Sequence, residues 1–173
     1  MTPDLRARFE ALGVHVDGSL LASYPHHQWD LAVSMAVREF YPGMSVPEGY
    51  HQLGCDFVAG FQQTLIGKAV AQVARLIGVE RTMLQMPQTQ RLGNNYIDAT
   101  AERVSPGHIR IRFELEPELA AQVHPPPDRG AEEFPRGVYL EVLRVLGARN
   151  PSVVASVRNF DKLAVDFDVR WTP

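Results

Sequence analysis

Much of what would announce a function is scarce or missing in these 173 residues. There is one cysteine, Cys55, so no disulfide framework can form within the chain, and a reducing, cytoplasmic setting is expected. No run approaches the roughly 18 apolar residues that a membrane-crossing helix needs. The opening "MTPDLRARFEALG" has no basic start followed by an apolar stretch, which predicts no secretion signal. Basic surplus is lacking too: 17 Lys and Arg stand against 20 Asp and Glu, whereas a nucleic-acid binder carries a basic surplus or stripe. Arg103, Arg110 and Arg112 are close in sequence, but Glu102, Glu114 and Glu116 dilute them, so a solvated strand face is expected there and no nucleic acid.

A phosphate-binding loop is also missing. "GFQQTLIGKAV", from Gly60 to Val70, carries a Gly-Lys pair, but a Walker A loop needs four residues between its first glycine and that pair, then Ser or Thr. Here the spacing is longer, and Lys68 is followed by Ala69, which has no hydroxyl for a metal.

What is present is ordinary for a soluble globular protein: 45% hydrophobic and 21% charged residues, in a length that suits one domain, residues 1–173. The first 94 residues read mainly as helix. Thr2, Pro3 and Gly13 punctuate a first helix with Leu5, Phe9 and Leu12 on one face. "YPHHQWDLAVSMAVREFYPG" predicts a second, with Trp29, Val33, Ala36, Val37 and Phe40 sharing a face and Tyr41-Pro42-Gly43 as its stop. From Pro47 to Ile77 runs the longest helical pattern, burying a wide stripe through Leu53, Phe57, Phe61, Leu65, Ala69, Val73 and Ile77. A break near Gln63-Thr64, with Thr64 capping a second segment, is the open alternative. "ERTMLQMPQTQRLGNN" predicts a short helix or turn, limited by Pro87 and closed by Gly93-Asn94.

Residues 95–173 form the sheet. "YIDATAERV" and "HIRIRFEL" flank the turn signal "SPG", and Ile109, Ile111, Phe113 and Leu115 alternate with charge, the period of a half-buried strand. A proline-rich loop follows, then a helix starting at Pro135 with Tyr139, Val142, Leu143 and Leu146 inward. "SVVASVRNF" and "LAVDFDVRW" predict a hairpin across Asp161-Lys162, with Leu163, Val165, Phe167, Val169 and Trp171 alternating. The expected fold is α+β: an N-terminal helical layer on a four-stranded antiparallel sheet, in strand-strand-helix-strand-strand order.

Gly60 and Gly67 lie seven residues apart and share a helical face, so a groove for a neighbouring backbone or a ligand is expected there. Phe57, Gly60, Phe61, Thr64, Gly67 and Tyr139 are the candidate pocket-lining residues between helices and sheet. Trp29, with Tyr24, Phe40 and Tyr41, either packs in the core or anchors a partner.

"YPGMSVPEGYHQLGCDFVAGFQQTLIGKAV", "MPQTQRLGNN", "GVYLEVLRVLGARNPSVV" and "VDFDVRW" together resemble a bacterial, Myxococcus-type paralogous family of unknown function, from about Phe40 to Trp171. By element order that family is similar to 4-vinyl-reductase-type domains, TRAPP trafficking subunits and heme-based nitric-oxide sensors. The resemblance implies a helical layer on an antiparallel sheet, often dimeric, with an apolar cavity in some members. Fold analogy does not transfer chemistry. The nitric-oxide sensors hold heme with a proximal His and a Tyr-x-Ser-x-Arg clamp, and this sequence contains no such clamp, which argues against heme. The zinc-type cysteine cluster of some 4-vinyl-reductase-type domains is excluded by the single cysteine. His26-His27, His51, His108 and His124 remain as histidines without a companion ligand set.

Catalytic sets are equally thin. His51 and Cys55 are one helical turn apart, a spacing that could activate a thiolate, but on an apolar helix a buried structural cysteine is the plainer reading. Glu114 with Glu116, and Asp166 with Asp168, alternate as an outer sheet face does. No enzyme is expected, and no cofactor or metal. The expectation is a non-enzymatic binding or regulatory module acting through protein–protein contacts as a homodimer. The alternative is a sensor binding a small apolar ligand between helices and sheet.

Overall fold

The computed structural model describes residues 2–15, 25–93, 97–115, 129–159 and 164–173. Among them lie six helices, α1 Pro3–Ala11, α2 His26–Phe40, α3 Val46–Gln63, α4 Leu65–Ile77, α5 Val79–Gly93 and α6 Glu133–Val145. The four strands are β1 Ile97–Ser105, β2 His108–Leu115, β3 Arg149–Asn159 and β4 Ala164–Thr172. The expected Asp161-Lys162 turn with Leu163, Tyr24, Glu116, most of the proline-rich loop, and Asn94, expected to help close the fifth helix, lie outside the described residues.

Local signals start the helices. Thr2 Oγ1 accepts a hydrogen bond from Leu5 N at 3.3 Å, with Pro3 at the first helical position of α1. At α3, Ser45 N and Ser45 Oγ donate to Glu48 Oε2 at 3.0 and 2.6 Å. Thr64 settles the question of the long helix: its backbone is extended (φ −76°, ψ 156°), and its Oγ1 accepts from Gly67 N at 2.9 Å, so α3 ends and α4 begins there. Pro87 does not limit α5, which runs through it. Met83 and Pro87 are both buried one turn apart, and that burial offsets the hydrogen bond proline cannot make. The last helix starts at Glu133, two residues earlier than expected, because proline is tolerated within a first turn.

The sheet has the order β1-β2-β4-β3, every pair antiparallel, as the alternation leads one to expect. The register sets Ile111 between Ala101 and Phe167, and Val169 between Ile109 and Val153, so the apolar residues of all four strands share one face. Met83 of α5 and Tyr139 and Leu143 of α6 cover that face in a single core cluster. A smaller cluster joins Leu5 and Phe9 of α1 to Ala32 and Ala36 of α2, with Leu53 of α3 against it. Trp29 and Phe40, expected on the buried face of α2, are exposed. Contact is made through two alanines, which draw the helices close and leave the bulky rings at the margin.

Between these clusters, α3 and α6 meet backbone to backbone. A Cβ on Gly54 would stand 2.2 Å from Phe134 O, and one on Gly137 would stand 2.1 Å from His51 O. The expected seam at Gly60 and Gly67 is therefore misplaced. Nothing lies within 4 Å of a Cβ on Gly60, and Gly67 is packed on Phe61 O across the bend, within the same stretch of chain. The wide stripe expected through Phe57, Phe61, Leu65, Val73 and Ile77 is exposed. Small residues such as Gly54 and Ala71 take the buried side instead, because they admit a neighbouring backbone.

Candidate functional site

The α3–α6 seam collects the groups with the most chemistry. Cys55 is buried, with Sγ 3.5 Å from Gly137 O and 3.9 Å from His51 Nε2. His51 Nδ1 is shielded from solvent and lies 3.8 Å from Glu133 Oε2, and Glu133 is ion-paired to Arg136. Burial, with help from the Arg136 charge, holds the His51 imidazole below its ordinary value of 6.5. Burial also pushes the Cys55 thiol above its ordinary value of 9.0, with Glu141 adding to the shift. A neutral imidazole beside a neutral thiol is the opposite of an activated nucleophile. Cys55 should accordingly react with a thiol reagent at least about tenfold more slowly in the native protein than in urea. Equal rates in the two states would return the pair to consideration as a reactive site.

The candidate pocket residues are dispersed. Phe57 is exposed and its ring tilts against Phe134 at 6.0 Å; Gly60 opens to solvent; Phe61 is exposed beside the bend. Thr64 caps α4 and Gly67 is buried under it. Tyr139 is fully buried on the other side of α6, with ring centroids 6.0 Å from Phe113 and 5.5 Å from Phe167. Phe57, Gly60, Phe61, Thr64 and Gly67 thus flank one bend, while Tyr139 belongs to the sheet core.

The outer sheet face is a lattice of ion pairs. His108 Nε2 lies 2.8 Å and Arg110 3.4 Å from Asp168 Oδ1, and Arg112 lies 3.6 Å from Asp166. Arg158 reaches both Asp166 and Glu114 at 2.7 Å. The His108 hydrogen bond, then the Arg110 charge, hold the Asp168 carboxyl below its ordinary range. Arg103 pairs separately with Glu80 of α5 at 3.2 Å. The arginines of β1 and β2 are thus occupied by acids of this chain. Arg158 is a member that alternation alone could not supply, since its partner Glu114 lies two strands away.

These placements bear on heme. His15 is exposed, His51 sits in the polar seam, and His108 is bonded on the outer sheet face. None of these three faces the apolar core. Nor does any group of three His, Cys, Asp or Glu suited to a metal occur among the described residues. The His26 and His27 side chains and His124 lie outside the described residues. Among the described histidine side chains, none is placed to ligate a group held in the apolar core. No helix is long and apolar enough to cross a membrane among the described residues.

The chain belongs to the family described as "Protein of unknown function (DUF2378)", which matches residues 1–172. No curated protein matches it. Solved H-NOX structures share the fold. An Fe(II) unliganded H-NOX variant from K. algicida aligns over 99% of this chain and 88% of its own, at TM-score 0.64 and 7% identity. A Cs H-NOX variant aligns over 99% and 88%, at 0.66 and 12%. An oxygen-binding H-NOX domain related to soluble guanylate cyclases aligns over 98% and 86%, at 0.66 and 12%. At such identities the likeness shows the fold.

Proposed function

We propose that this DUF2378 member is a sensor domain of H-NOX-like fold that binds a small apolar ligand without heme and passes its state to another protein chain, catalysing no reaction. The observation that carries this reading is the H-NOX likeness over 98% of the chain, in a molecule whose described histidine side chains lie outside the apolar core. The ligand site we favour is the α3–α4 bend. Phe57 and Phe61 offer exposed aromatic surface there, and Gly60 leaves the helix beside them uncovered. Tyr139 is unsuited to direct contact, because Phe113 and Phe167 close over its ring. That the His51–Cys55 pair serves as no nucleophile is supported by the raised thiol of Cys55 and the lowered imidazole of His51, 3.9 Å apart.

The test is an absorbance spectrum of the purified protein, mass spectrometry of what co-purifies, and a melting screen against fatty acids and small aromatics. No Soret band is expected. A ligand binding only the folded state at about 100 times its Kd adds about 2.7 kcal/mol of stability, a shift that Phe61→Ala should abolish. A Soret band would replace this reading with heme, and a screen without any shift would end the ligand reading.

A further inference from the structure

One solvent-facing arc of α4 is apolar from end to end, with the exposed Lys68, Gln72 and Arg75 to one side of it. Leu65 and Leu76 are 86% and 87% exposed, and Ile66, Val70, Val73 and Ile77 are between 37% and 70% exposed. At about 100° per residue these six fall within about 140° of the helix circumference. The helix is not frayed chain. Thr64 caps its start, Gly67 and Ala71 bury its opposite side, and Gly78 ends it with a positive φ of 87°. Arg75 Nε bonds Val145 O at 3.0 Å, and Thr82 Oγ1 bonds Ala74 O at 3.1 Å, tying it to α6 and α5. A firmly seated helix thus presents its large apolar residues outward and its small ones inward.

We infer that this face is the contact between two copies of the chain, α4 against α4. Three features select that occupant. Ile66, Ala69, Val73 and Leu76 recur at steps of three and four residues, the spacing of a seam between two helices, with β-branched residues alternating against Ala and Leu. The six side chains expose on the order of 500 Å² at the areas implied by full burial of aliphatic residues. Doubled across a two-fold axis, that is about the 1,000 Å² a specific interface requires. Charge also favours self-association. The helix carries no acid, and its cations, Lys68 and Arg75, lie off the apolar arc, so no like charges are brought together when the patch meets its own copy. A membrane-surface helix would instead carry a cation-rich polar face, whereas here Arg75 is occupied by Val145 O. This inference rests on α4 alone and is independent of the ligand reading.

The experiment is light scattering after size exclusion at tens of micromolar, on the whole chain. Wild type should run as a dimer. Val73→Glu and Leu76→Glu should run as monomers, with the dimer dissociation constant raised at least about tenfold and an unchanged circular dichroism spectrum, since both positions face solvent. Should either fail to fold, Val73→Cys gives a second readout. Mild oxidation should produce a covalent dimer through this position, with buried Cys55 silent. Monomeric wild type, dimers that persist in both folded Glu variants, or no cross-link from folded Val73→Cys would overturn the inference. So would wild type that sediments with anionic phosphatidylglycerol vesicles while Val73→Glu stays in solution, because the occupant would then be a lipid surface.

Discussion

Gly137→Ala should lower the melting temperature by about 10 °C or prevent folding, for the addition of one methyl group. The methyl carbon would stand 2.1 Å from His51 O, a distance that real Cβ atoms do not sustain, and a tight 3.1 Å from Cys55 N. Both neighbours are backbone, so no rotamer change relieves the clash; α3 and α6 must separate. Separation loosens two contacts at once, because α3 carries Leu53 against the N-terminal cluster and α6 carries Tyr139 and Leu143 into the sheet core. Overpacking costs about 1–3 kcal/mol where side chains can adjust, and this case belongs at or above the top of that range. Gly54→Ala should behave alike, since its Cβ would meet Phe134 O at 2.2 Å. Gly60→Ala in the same helix should do the reverse. Nothing lies within 4 Å of it, and alanine favours an exposed helix interior by about 0.5–1 kcal/mol over glycine. Thermal unfolding of the three variants decides the matter. A Gly137→Ala melt within about a degree of wild type would mean that the two helices are not in contact at this seam.

That contrast shows where the sequence could be read and where it could not. The sheet was legible because Ile109 to Leu115 and Val165 to Trp171 alternate with charge, and a period of two has one structural meaning. The break at Thr64 was legible as an alternative, since threonine ahead of an apolar segment is a cap. The helix seam was not. Spacing places Gly60 and Gly67 on a common face of an unbroken helix, but nothing in the spacing says which face meets a neighbour. The extended backbone at Thr64 then destroys the shared face. The real partners, Gly54 and Gly137, are 83 residues apart in the chain, and the pairing exists only once α6 has docked. The same limit hid the orientation of α4. Its apolar arc reads from sequence as core, because burial is the usual fate of such an arc. Only the fold reveals that Gly67 and Ala71 take the inside. As for the candidate site, the residue types around the bend were legible, whereas the assignment of Tyr139 to a different cluster depended on which side of α6 meets the sheet.

Tyr139→Ala should destabilise the chain by about 3–5 kcal/mol, the range for removing a fully enclosed aromatic ring. The ring is 0% exposed and touches Phe113 and Phe167, whose own rings lie 5.3 Å apart, so its loss leaves a void bounded by two aromatics and the strands beneath them. For a chain of this length the melting temperature falls on the order of 10 °C. Phe167→Ala should cost a similar amount. The double variant should cost less than the sum, since the two truncations share one cavity and neighbouring sites are not additive. Additive losses would show that the rings do not pack on each other. The Tyr139 variant also separates core from ligand site. With the ligand at the α3–α4 bend, Tyr139→Ala keeps the melting increment that ligand confers, from a lower baseline, while Phe61→Ala loses the increment and keeps the baseline. The reverse pattern would move the ligand into the sheet core and make Tyr139 part of its wall.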